Sequence, residues 1–370
     1  MRKASEPWEV AVAIETPHGP VVEALMDRGV AVYSINPKQL DRFRDRFSPA
    51  GAKDDRRDAL VLASSLRTDR HCFRRIQALD PQIVELREWS RMADELKEEH
   101  RRLSNRIRQQ LWRYYPQTLE LSDDQGSDFF LDLWALAPTP NAAKRVARVL
   151  ASHRIRRLNA AQAIEILQRP ALTVAPGTET AATAHISGAA ERVRLVNRQL
   201  KSVNRRLDAL VADFEAQAAG EHPASPGQAV EQRDAAILRS LPGVGRTVLA
   251  TLLAEANQAL QARDYHALRT LCGVAPVTKR SGKSRHVEMR QACSHRLREA
   301  VYHWARVATQ HDPVSKARYS ALRSRGKSHG RALRGVADRL LAVACAMLKS
   351  RTPFRSAHLK FAGGAAQIPA

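Results

Sequence analysis

A serine followed by a glycine lies in a strongly basic stretch of the chain. Ser281 precedes Gly282, and the glycine lets the backbone turn so that the serine hydroxyl projects. A serine that attacks a phosphodiester needs activation and a stabilised phosphorane charge, and clustered cations supply the second. The residue types alone favour a simpler interpretation, a basic surface loop that only contacts phosphate. The cations of this segment are Lys279, Arg280, Lys283 and Arg285.

Three carboxylates show the spacing of a metal site. Glu15 follows an apolar run at 8–14 that predicts a buried strand, and Asp55 and Asp58 lie one turn apart on a predicted helix. Carboxylates from a strand end and a helix can hold Mg²⁺ for phosphodiester chemistry. The alternative is that Asp54 and Asp55 cap the helix and that Asp58 is solvated.

A glycine-rich turn precedes the serine segment. Pro242 ends one predicted helix, and a second helix starts near Thr247. Gly243 and Gly245 permit the positive φ of a tight turn between them. This helix-hairpin-helix pattern indicates a sequence-independent grip on a nucleic-acid backbone, to which we assign both glycines and Arg246. The turn alone is equally compatible with a glycine-capped corner inside a helical bundle.

Two heptad stripes in the middle of the chain predict coiled-coil helices. The stripe at 86–114 contains the polar residues His100 and Gln110, whereas the stripe at 193–214 is apolar. The two helices can pair as an antiparallel hairpin or associate between chains, and we expect a homodimer or a higher homo-oligomer. Their many cations form either a solvated face or a surface that contacts nucleic acid.

The charge balance indicates a polyanionic partner. The 370 residues include 60 Lys and Arg against 38 Asp and Glu, a net charge of +22, and 279–351 alone holds 18 basic and 4 acidic residues. Nucleic acid is the first candidate for such a chain. No apolar run approaches the roughly 20 residues that span a bilayer, so we expect no membrane partner. The four scattered cysteines indicate a reducing cytosol and no zinc site.

Together these motifs resemble the insertion-sequence 110 / 1111 family of transposases. Several motifs occur in the family's order, at the start of the chain and again over 235–350. The residues that carry the resemblance are Ala13-Ile-Glu-Thr16, Asn36-Pro37, Lys53-Asp-Asp-Arg-Arg-Asp-Ala59, Leu241-Pro-Gly-Val-Gly245, Leu252-Leu-Ala-Glu255, Gly273-Val-Ala-Pro276, Ser281-Gly282 and Leu297-Arg-Glu-Ala300.

The resemblance implies a DEDD-type, RNA-guided serine recombinase. Its N-terminal domain is α/β, with the RNase H-like fold of Holliday-junction resolvases and four acidic ligands for Mg²⁺. Glu15, Asp55 and Asp58 match the second, third and fourth ligands, and Asp54 stands where the family usually has Thr. Ser281 matches the nucleophile that joins DNA to protein. The implied partners are the element ends, target DNA and a structured guide RNA, in the nucleoid of a prokaryotic cytoplasm.

The first acid of the family's four is the departure from the pattern. In the family it lies tens of residues before the position of Glu15, but only fourteen residues precede Glu15 here and none is Asp. The resemblance therefore predicts an N-terminally truncated domain that lacks its first strands. One hypothesis is a recombinase that cleaves and rejoins DNA. The alternative is a non-catalytic nucleic-acid-binding remnant of such an enzyme.

The sequence predicts seven segments, of which the first is α/β and the remainder mainly helical. They are a partial RNase H-like domain at 1–72, a coiled-coil helix at 73–118, a helical insert at 119–190, a second coiled-coil helix at 191–219, a linker at 220–233, a C-terminal transposase domain at 234–352 and a tail at 353–370.

Overall fold

The computed structural model describes residues 6–47, 54–77, 80–138, 146–156, 158–170, 172–175, 177–219 and 228–354. The chain divides into two compact units, Met1–Asp80 and Pro81–Ala370, which we call the N-terminal unit and the C-terminal unit and describe separately. The predicted fold class is confirmed in outline, because the N-terminal unit is α/β and the described part of the C-terminal unit is mainly helical. Within the described ranges, no helix is long and apolar enough to cross a membrane.

A three-stranded sheet forms the centre of the N-terminal unit. Strands β1 (Ala11–Ile14) and β2 (Ala31–Ser34) are parallel and paired from first residue to last, and helix α1 (Pro20–Asp27) connects them. Strand β3 (Arg74–Arg75) runs antiparallel on the other side of β2. The sequence predicts strands at 8–14 and at 30–35, which correspond to β1 and β2. It does not predict β3, because a two-residue strand is too short to show the alternation that marks strands.

Two helices complete this unit, and capping side chains set where they begin. Helix α2 (Pro37–Asp45) starts after Asn36, whose side chain accepts a hydrogen bond from the first turn. Helix α3 (Asp55–Thr68) starts after Asp54, which accepts from the Arg57 backbone N–H at 2.8 Å. Helix α3 packs against α2 and β1. The buried core consists of Tyr33, Ile35, Leu40, Val61, Leu66 and Phe73.

A long antiparallel helical hairpin begins the C-terminal unit. Helices α4 (Pro81–Tyr114) and α8 (Thr178–Ala219) pack against each other, and Glu85 near the start of α4 pairs with Arg206 near the end of α8. Of the two arrangements that the heptads allowed, the structure has the hairpin within one chain. The buried seam residues include Leu86, Ala93, Leu96, Leu103 and Ile107 of α4, and Val193, Val196, Val203, Leu207, Leu210 and Phe214 of α8.

A small helical insert lies between the arms of this hairpin in sequence. It contains a 3₁₀ helix at Pro116–Leu121 and helices α5 (Asp128–Leu136), α6 (Val146–Ser152) and α7 (Ala160–Gln168). The sequence predicted helices at 141–150 and 160–167; residues 141–145 lie outside the described residues, and the second helix is confirmed. Hydrogen bonds tie the insert to α8, one of them from Asn197 to the Asp128 carboxylate at 2.8 Å.

Seven helices and one β-hairpin follow in the described part after residue 228. The predicted linker residues 220–227 and tail residues 355–370 lie outside the described residues. Trp304 is fully buried, and its indole N–H donates to the Pro242 carbonyl at 2.9 Å. The elements are α9 (Gln228–Arg239), α10 (Arg246–Glu255), α11 (Asn257–Gln261), α12 (Tyr265–Leu271), β4 (Val277–Ser281), β5 (Ser284–Glu288), α13 (His295–His311), α14 (Pro313–Ser324) and α15 (His329–Ser350).

Two local predictions for this region are wrong. The sequence predicts one continuous helix at 319–349, on which Leu333, Val336, Leu340, Leu341, Val343 and Leu348 are apolar. The structure has two helices there, α14 and α15, because Gly326 adopts a φ of 73° and turns the chain. The polar loop expected around Ser281 is the β-hairpin of β4 and β5. Its strands are polar and almost wholly exposed, so they lack the apolar alternation that identifies a strand.

Candidate nucleic-acid interface and candidate active site

Ser281 lies at the tip of the β4–β5 hairpin. It is the last residue of β4 and stands opposite Ser284, so only Gly282 and Lys283 form the turn. Gly282 has a φ of 54°, which is the conformation that two-residue hairpin turns favour for glycine at their first position. The turn therefore projects Ser281 into solvent, as the Ser-Gly pair predicted.

Strand alternation defines what shares a face with Ser281. Residues directly opposite each other share a face, as do residues two positions apart. Lys279 and its partner His286 therefore lie on the Ser281 face, as does Glu288, whose carboxylate pairs with the Lys279 ammonium at 2.7 Å. His286 was missed by the sequence analysis. Counting outward from a two-residue turn at Gly282 would have placed it there.

The other hairpin face carries two arginines directly opposite each other. Arg280 pairs with Arg285 in the ladder, and both side chains are exposed. Like charges in this position repel and destabilise a hairpin unless an anion lies between them. The cations predicted as one cluster are thus divided, with Lys279 beside the serine, Arg280 and Arg285 behind it, and Lys283 in the turn.

The glycine-rich turn packs against α13, and its two glycines differ. Gly243 has a φ of 83°, and a Cβ there would lie 2.9 Å from the Ala308 backbone N and 3.1 Å from the Trp304 carbonyl. Gly243 therefore permits a close approach to protein, which fits the helical-corner interpretation. Gly245 is exposed, and a Cβ on it would meet nothing within 4 Å.

The start of α10 keeps the features of a phosphate contact. Gly245 is its N-cap residue, and no side chain caps the helix. An open cavity of 470 Å³ adjoins this end and is lined in part by Arg239 and Arg246. The Arg246 guanidinium is paired with the Asp208 carboxylate of α8, so part of its charge is already offset. The N–H groups of the α10 start remain open to an anion, whereas Arg239 donates to the Val244 carbonyl at 3.3 Å and lies 3.9 Å from the Glu215 carboxylate.

In the N-terminal unit, Arg44 holds the carboxylate of Asp58. The Arg44 Nε donates to Asp58 Oδ1 at 2.5 Å and a terminal nitrogen donates to Oδ2 at 2.9 Å, so the pairing is bidentate. Both side chains are only about one-sixth exposed, at 15% and 16%. The hydrogen bond to Asp58 raises the pKa of Arg44 above its ordinary value, and the nearby Asp41 adds to this. Asp58 is therefore not the solvated residue of the simpler interpretation.

The predicted magnesium ligands do not form a metal site in this arrangement. Glu15 directly follows β1, and Asp55 is exposed in the first turn of α3 beside the capping residue Asp54. Among the described residues, no three His, Cys, Asp or Glu side chains are grouped so as to hold a metal ion. The Arg44 guanidinium also occupies both oxygens of Asp58. The residues as arranged do not fit Mg²⁺, and we assign no reaction step to it.

The Leu-Leu-Ala-Glu motif has a structural role that the sequence did not reveal. Glu255 ends α10 and pairs with Arg91 of α4 at 3.1 Å and with Arg296 of α13. Arg296 also reaches Asp94 of α4 at 2.8 Å. Burial would raise the pKa of Glu255, but the two arginines outweigh it and hold the pKa below its ordinary value. This ion-pair network fixes α10 and α13 to the helical hairpin.

Family models match both parts of the chain. Residues 1–116 match a transposase family model, that of the DEDD transposases of IS110. Residues 235–320 match the model described as Transposase IS116/IS110/IS902 family. The second match contains the glycine-rich turn, the β4–β5 hairpin and helix α13.

Curated relatives extend the similarity over most of the chain. The mini-circle putative transposase for IS117 from Streptomyces coelicolor is 32% identical over 358 residues, which cover 93% of this chain and 82% of the relative. The insertion element IS110 uncharacterized 43.6 kDa protein of the same organism is 29% identical, over 89% of this chain and 78% of its own length. Putative transposase y4uE from Sinorhizobium fredii is 58% identical over 162 residues, 42% of this chain and 45% of that protein.

These similarities and the order of the motifs define a transposase of an insertion sequence. The chain belongs to the IS110/IS116/IS902 transposase family. Membership in this family implies that the protein binds DNA, as the net charge of +22 had indicated.

Proposed function

We propose that this transposase cleaves and rejoins DNA with the Ser281 hydroxyl as its nucleophile. The observation that carries the proposal is the place of Ser281 at the tip of an exposed hairpin, with Lys279 on the same face. In the attack the serine oxygen bonds to phosphorus and the bond from phosphorus to a deoxyribose oxygen breaks. The serine proton goes to a base and the departing oxygen takes up a proton. Lys279 offsets charge on the phosphorane.

Binding of the DNA backbone is the second part of the proposal. The repulsion between Arg280 and Arg285 is relieved when a phosphate lies between them, so the back of the hairpin is a phosphate site. The start of α10 at Gly245 and the guanidinium of Arg239 form a further contact with the backbone. A structured guide RNA, which the resemblance implies, is compatible with the same charge excess.

For the N-terminal unit we propose the RNase H-like fold of the resolvases. Support comes from the parallel β1-α1-β2 unit and from the family match over 1–116. The resemblance gives Glu15, Asp55 and Asp58 to the same reaction as ligands of Mg²⁺. The described arrangement does not group these side chains, so the assignment stays a prediction that requires a different arrangement. A homodimer also stays a prediction. The heptad seam that suggested it is buried between α4 and α8 of one chain, so the seam does not itself support pairing of two chains.

A serine exchange on the hairpin tests the nucleophile. The full chain is incubated with a labelled DNA fragment that carries an element end and target sequence, and protein–DNA adducts are separated on a denaturing gel. We expect Ser281→Ala to abolish the adduct and to leave DNA affinity within about twofold. Ser284→Ala is the matched control, because it removes the hydroxyl directly opposite on the same face. An adduct from Ser281→Ala protein would sink the assignment.

A non-catalytic DNA-binding protein is the second candidate. It is favoured by one observation, the bidentate hold of Arg44 on Asp58, which engages both carboxylate oxygens in an ion pair inside the unit. The same gel separates the two candidates. Salt-dependent DNA binding without any adduct, from the wild-type chain supplied with divalent metal and element DNA, would favour this second function.

A further inference from the structure

A cavity of 560 Å³ lies in the C-terminal unit beside the end of the β4–β5 hairpin. Helices α13 and α15 form two of its walls, and Met289, the residue after β5, forms part of another. A volume of this size lies within the range of pockets that hold small organic ligands, about 300–1,000 Å³. The apolar part of its surface comes from Val274, Met289, Leu333, Ala337 and the ring of Tyr302.

Two arginines give the cavity a positive charge. A terminal nitrogen of Arg298 donates to the Arg290 carbonyl at 2.5 Å, but its Nε is buried without a hydrogen-bond partner. A terminal nitrogen of Arg334 contacts only the weak acceptor Met289 Sδ, at 3.2 Å. Burial lowers the pKa of Arg334, and the charges of Arg331 and Arg298 lower it further. The two guanidinium groups are therefore suited to an anionic group.

The acidic groups around the cavity do not offset this charge. Glu299 is the one carboxylate among the residues that line it, and its side chain is 77% exposed and lies 3.8 Å from His303. Burial raises the pKa of the Cys272 thiol to about 12, so this neighbour stays neutral. The two half-buried arginines therefore line a largely apolar space in which they have no ion-pair partner among the lining residues.

The backbone at the cavity floor is shaped around Arg298. Gly273 has a φ of 65°, and a Cβ there would lie 3.0 Å from Arg298 Nε and 2.8 Å from Cys293 Sγ. Any other residue would be strained and would displace the guanidinium. The glycine of the Gly273-Val-Ala-Pro276 motif thus keeps Arg298 in place beside the cavity.

We propose that this cavity takes one unpaired nucleotide of the bound nucleic acid, with its phosphate at Arg298 and Arg334 and its base against Val274, Tyr302 and Leu333. An aromatic ring beside cations is the combination that single-stranded nucleic acids prefer, and an unpaired base costs least to unstack. Because Met289 continues directly from β5, a strand held by the hairpin passes close to the cavity. This inference rests on the proposed DNA binding and adds a base-specific subsite to it.

Filling the cavity without changing its charge tests the inference. Gly330 lines the cavity within α15, and a Cβ there would have only Arg334 near it, at 4.0 Å. Gly330→Leu therefore occupies the space while the helix and the arginines remain. The full chain is titrated with three fluorescent DNAs that differ at one position: a paired duplex, the same duplex with a one-nucleotide bulge, and the same bulge with an abasic residue.

For the wild-type chain we expect the bulged duplex to bind about tenfold more tightly than the other two DNAs, as measured by anisotropy. Gly330→Leu and Arg334→Gln should remove this preference. Arg339→Gln is the control, because Arg339 is an exposed cation of α15 outside the cavity; it should lower all three affinities by one factor. Circular dichroism of each variant checks that the helices are intact.

The outcomes separate this inference from the proposed function. Equal wild-type affinity for the three DNAs overturns the nucleotide subsite and leaves the proposed DNA binding intact. An abasic bulge that binds as tightly as the intact bulge also overturns it, since the base would then not be recognised. If the wild-type chain binds none of the DNAs, the proposed function fails and the inference fails with it.

Discussion

The motif residues of the two units differ in whether their side chains already have partners within the protein. In the N-terminal unit, the Asp58 carboxylate is held by Arg44 at both oxygens and is about one-sixth exposed. In the C-terminal unit, Ser281 stands at the tip of an exposed hairpin, and Arg280 faces Arg285 with no acid between them. Asp58 is thus paired within its own unit, whereas Ser281 and the Arg280–Arg285 pair are open to a ligand.

This difference distinguishes two roles among the motif residues of the family, stabilisation of the fold and binding of a ligand. An acid paired with a neighbouring cation contributes to the stability of its own unit, so its removal mainly lowers the free energy of unfolding. Cations that repel one another contribute nothing to stability until an anion arrives, so their removal changes binding first. Mutation of Asp58 should therefore change stability more than DNA affinity, whereas mutation of Arg280 and Arg285 should change DNA affinity more than stability.

The largest effect is expected from the back of the hairpin. Arg280→Gln with Arg285→Gln removes the two proposed phosphate contacts, so we expect DNA affinity at low salt to fall about a hundredfold and the slope of log K against log salt to fall by about 2. Thermal stability should be unchanged or slightly higher, because the cross-strand repulsion disappears. Filter binding over a salt series measures both quantities.

A charge-matched variant makes that result interpretable. Arg339→Gln with Lys349→Gln removes the same net charge from exposed positions of α15. If this control lowers affinity and slope as much as the hairpin variant does, the general charge of the chain binds DNA and the hairpin has no special place in it.

The sequence revealed the long helices better than it revealed these pairings. The stripe at 193–214 is apolar over three heptads, and that repetition predicts a buried seam wherever the partner helix lies. The Arg44–Asp58 pair joins two helices, and no spacing in the sequence reports which cation will reach a given acid. The place of His286 depends on strand register, which polar, exposed strands do not display.

An exchange of single carboxylates tests the N-terminal side of the comparison. Asp58→Asn breaks the bidentate pair and should lower the free energy of unfolding of this unit by roughly 1–3 kcal/mol. Asp55→Asn, one turn earlier on an exposed position, should change it by less than about 0.5 kcal/mol. Urea unfolding followed by circular dichroism measures both. Equal costs for the two variants would show that the Arg44 contact does not stabilise the unit.

The ion-pair network at Glu255 gives a pH dependence in the C-terminal unit. Because the pKa of Glu255 is lowered in the folded state, its contribution to stability is present above the unfolded-state pKa of about 4.3 and is lost as the pH falls through the folded-state pKa. Glu255→Gln should therefore cost about 1 kcal/mol at neutral pH and less at pH 3. Thermal melts between pH 3 and pH 7 test this, and a constant difference would contradict it.

The smallest effect concerns the Lys279–Glu288 pair beside Ser281. Both side chains are more than half exposed, at 66% and 51%, and exposed pairs contribute about 0.2–1 kcal/mol or nothing measurable. Glu288→Gln should therefore leave thermal stability nearly unchanged. The same exchange frees the Lys279 ammonium and removes a negative charge from the face that meets the phosphodiester. We expect a few-fold increase in DNA affinity at low salt that disappears near 0.5 M salt, where the Debye length is only about 4 Å. A decrease in affinity would mean that Glu288 holds Lys279 in position for DNA, and the Ser281 face would then be preorganised by an internal pair, as Asp58 is by Arg44.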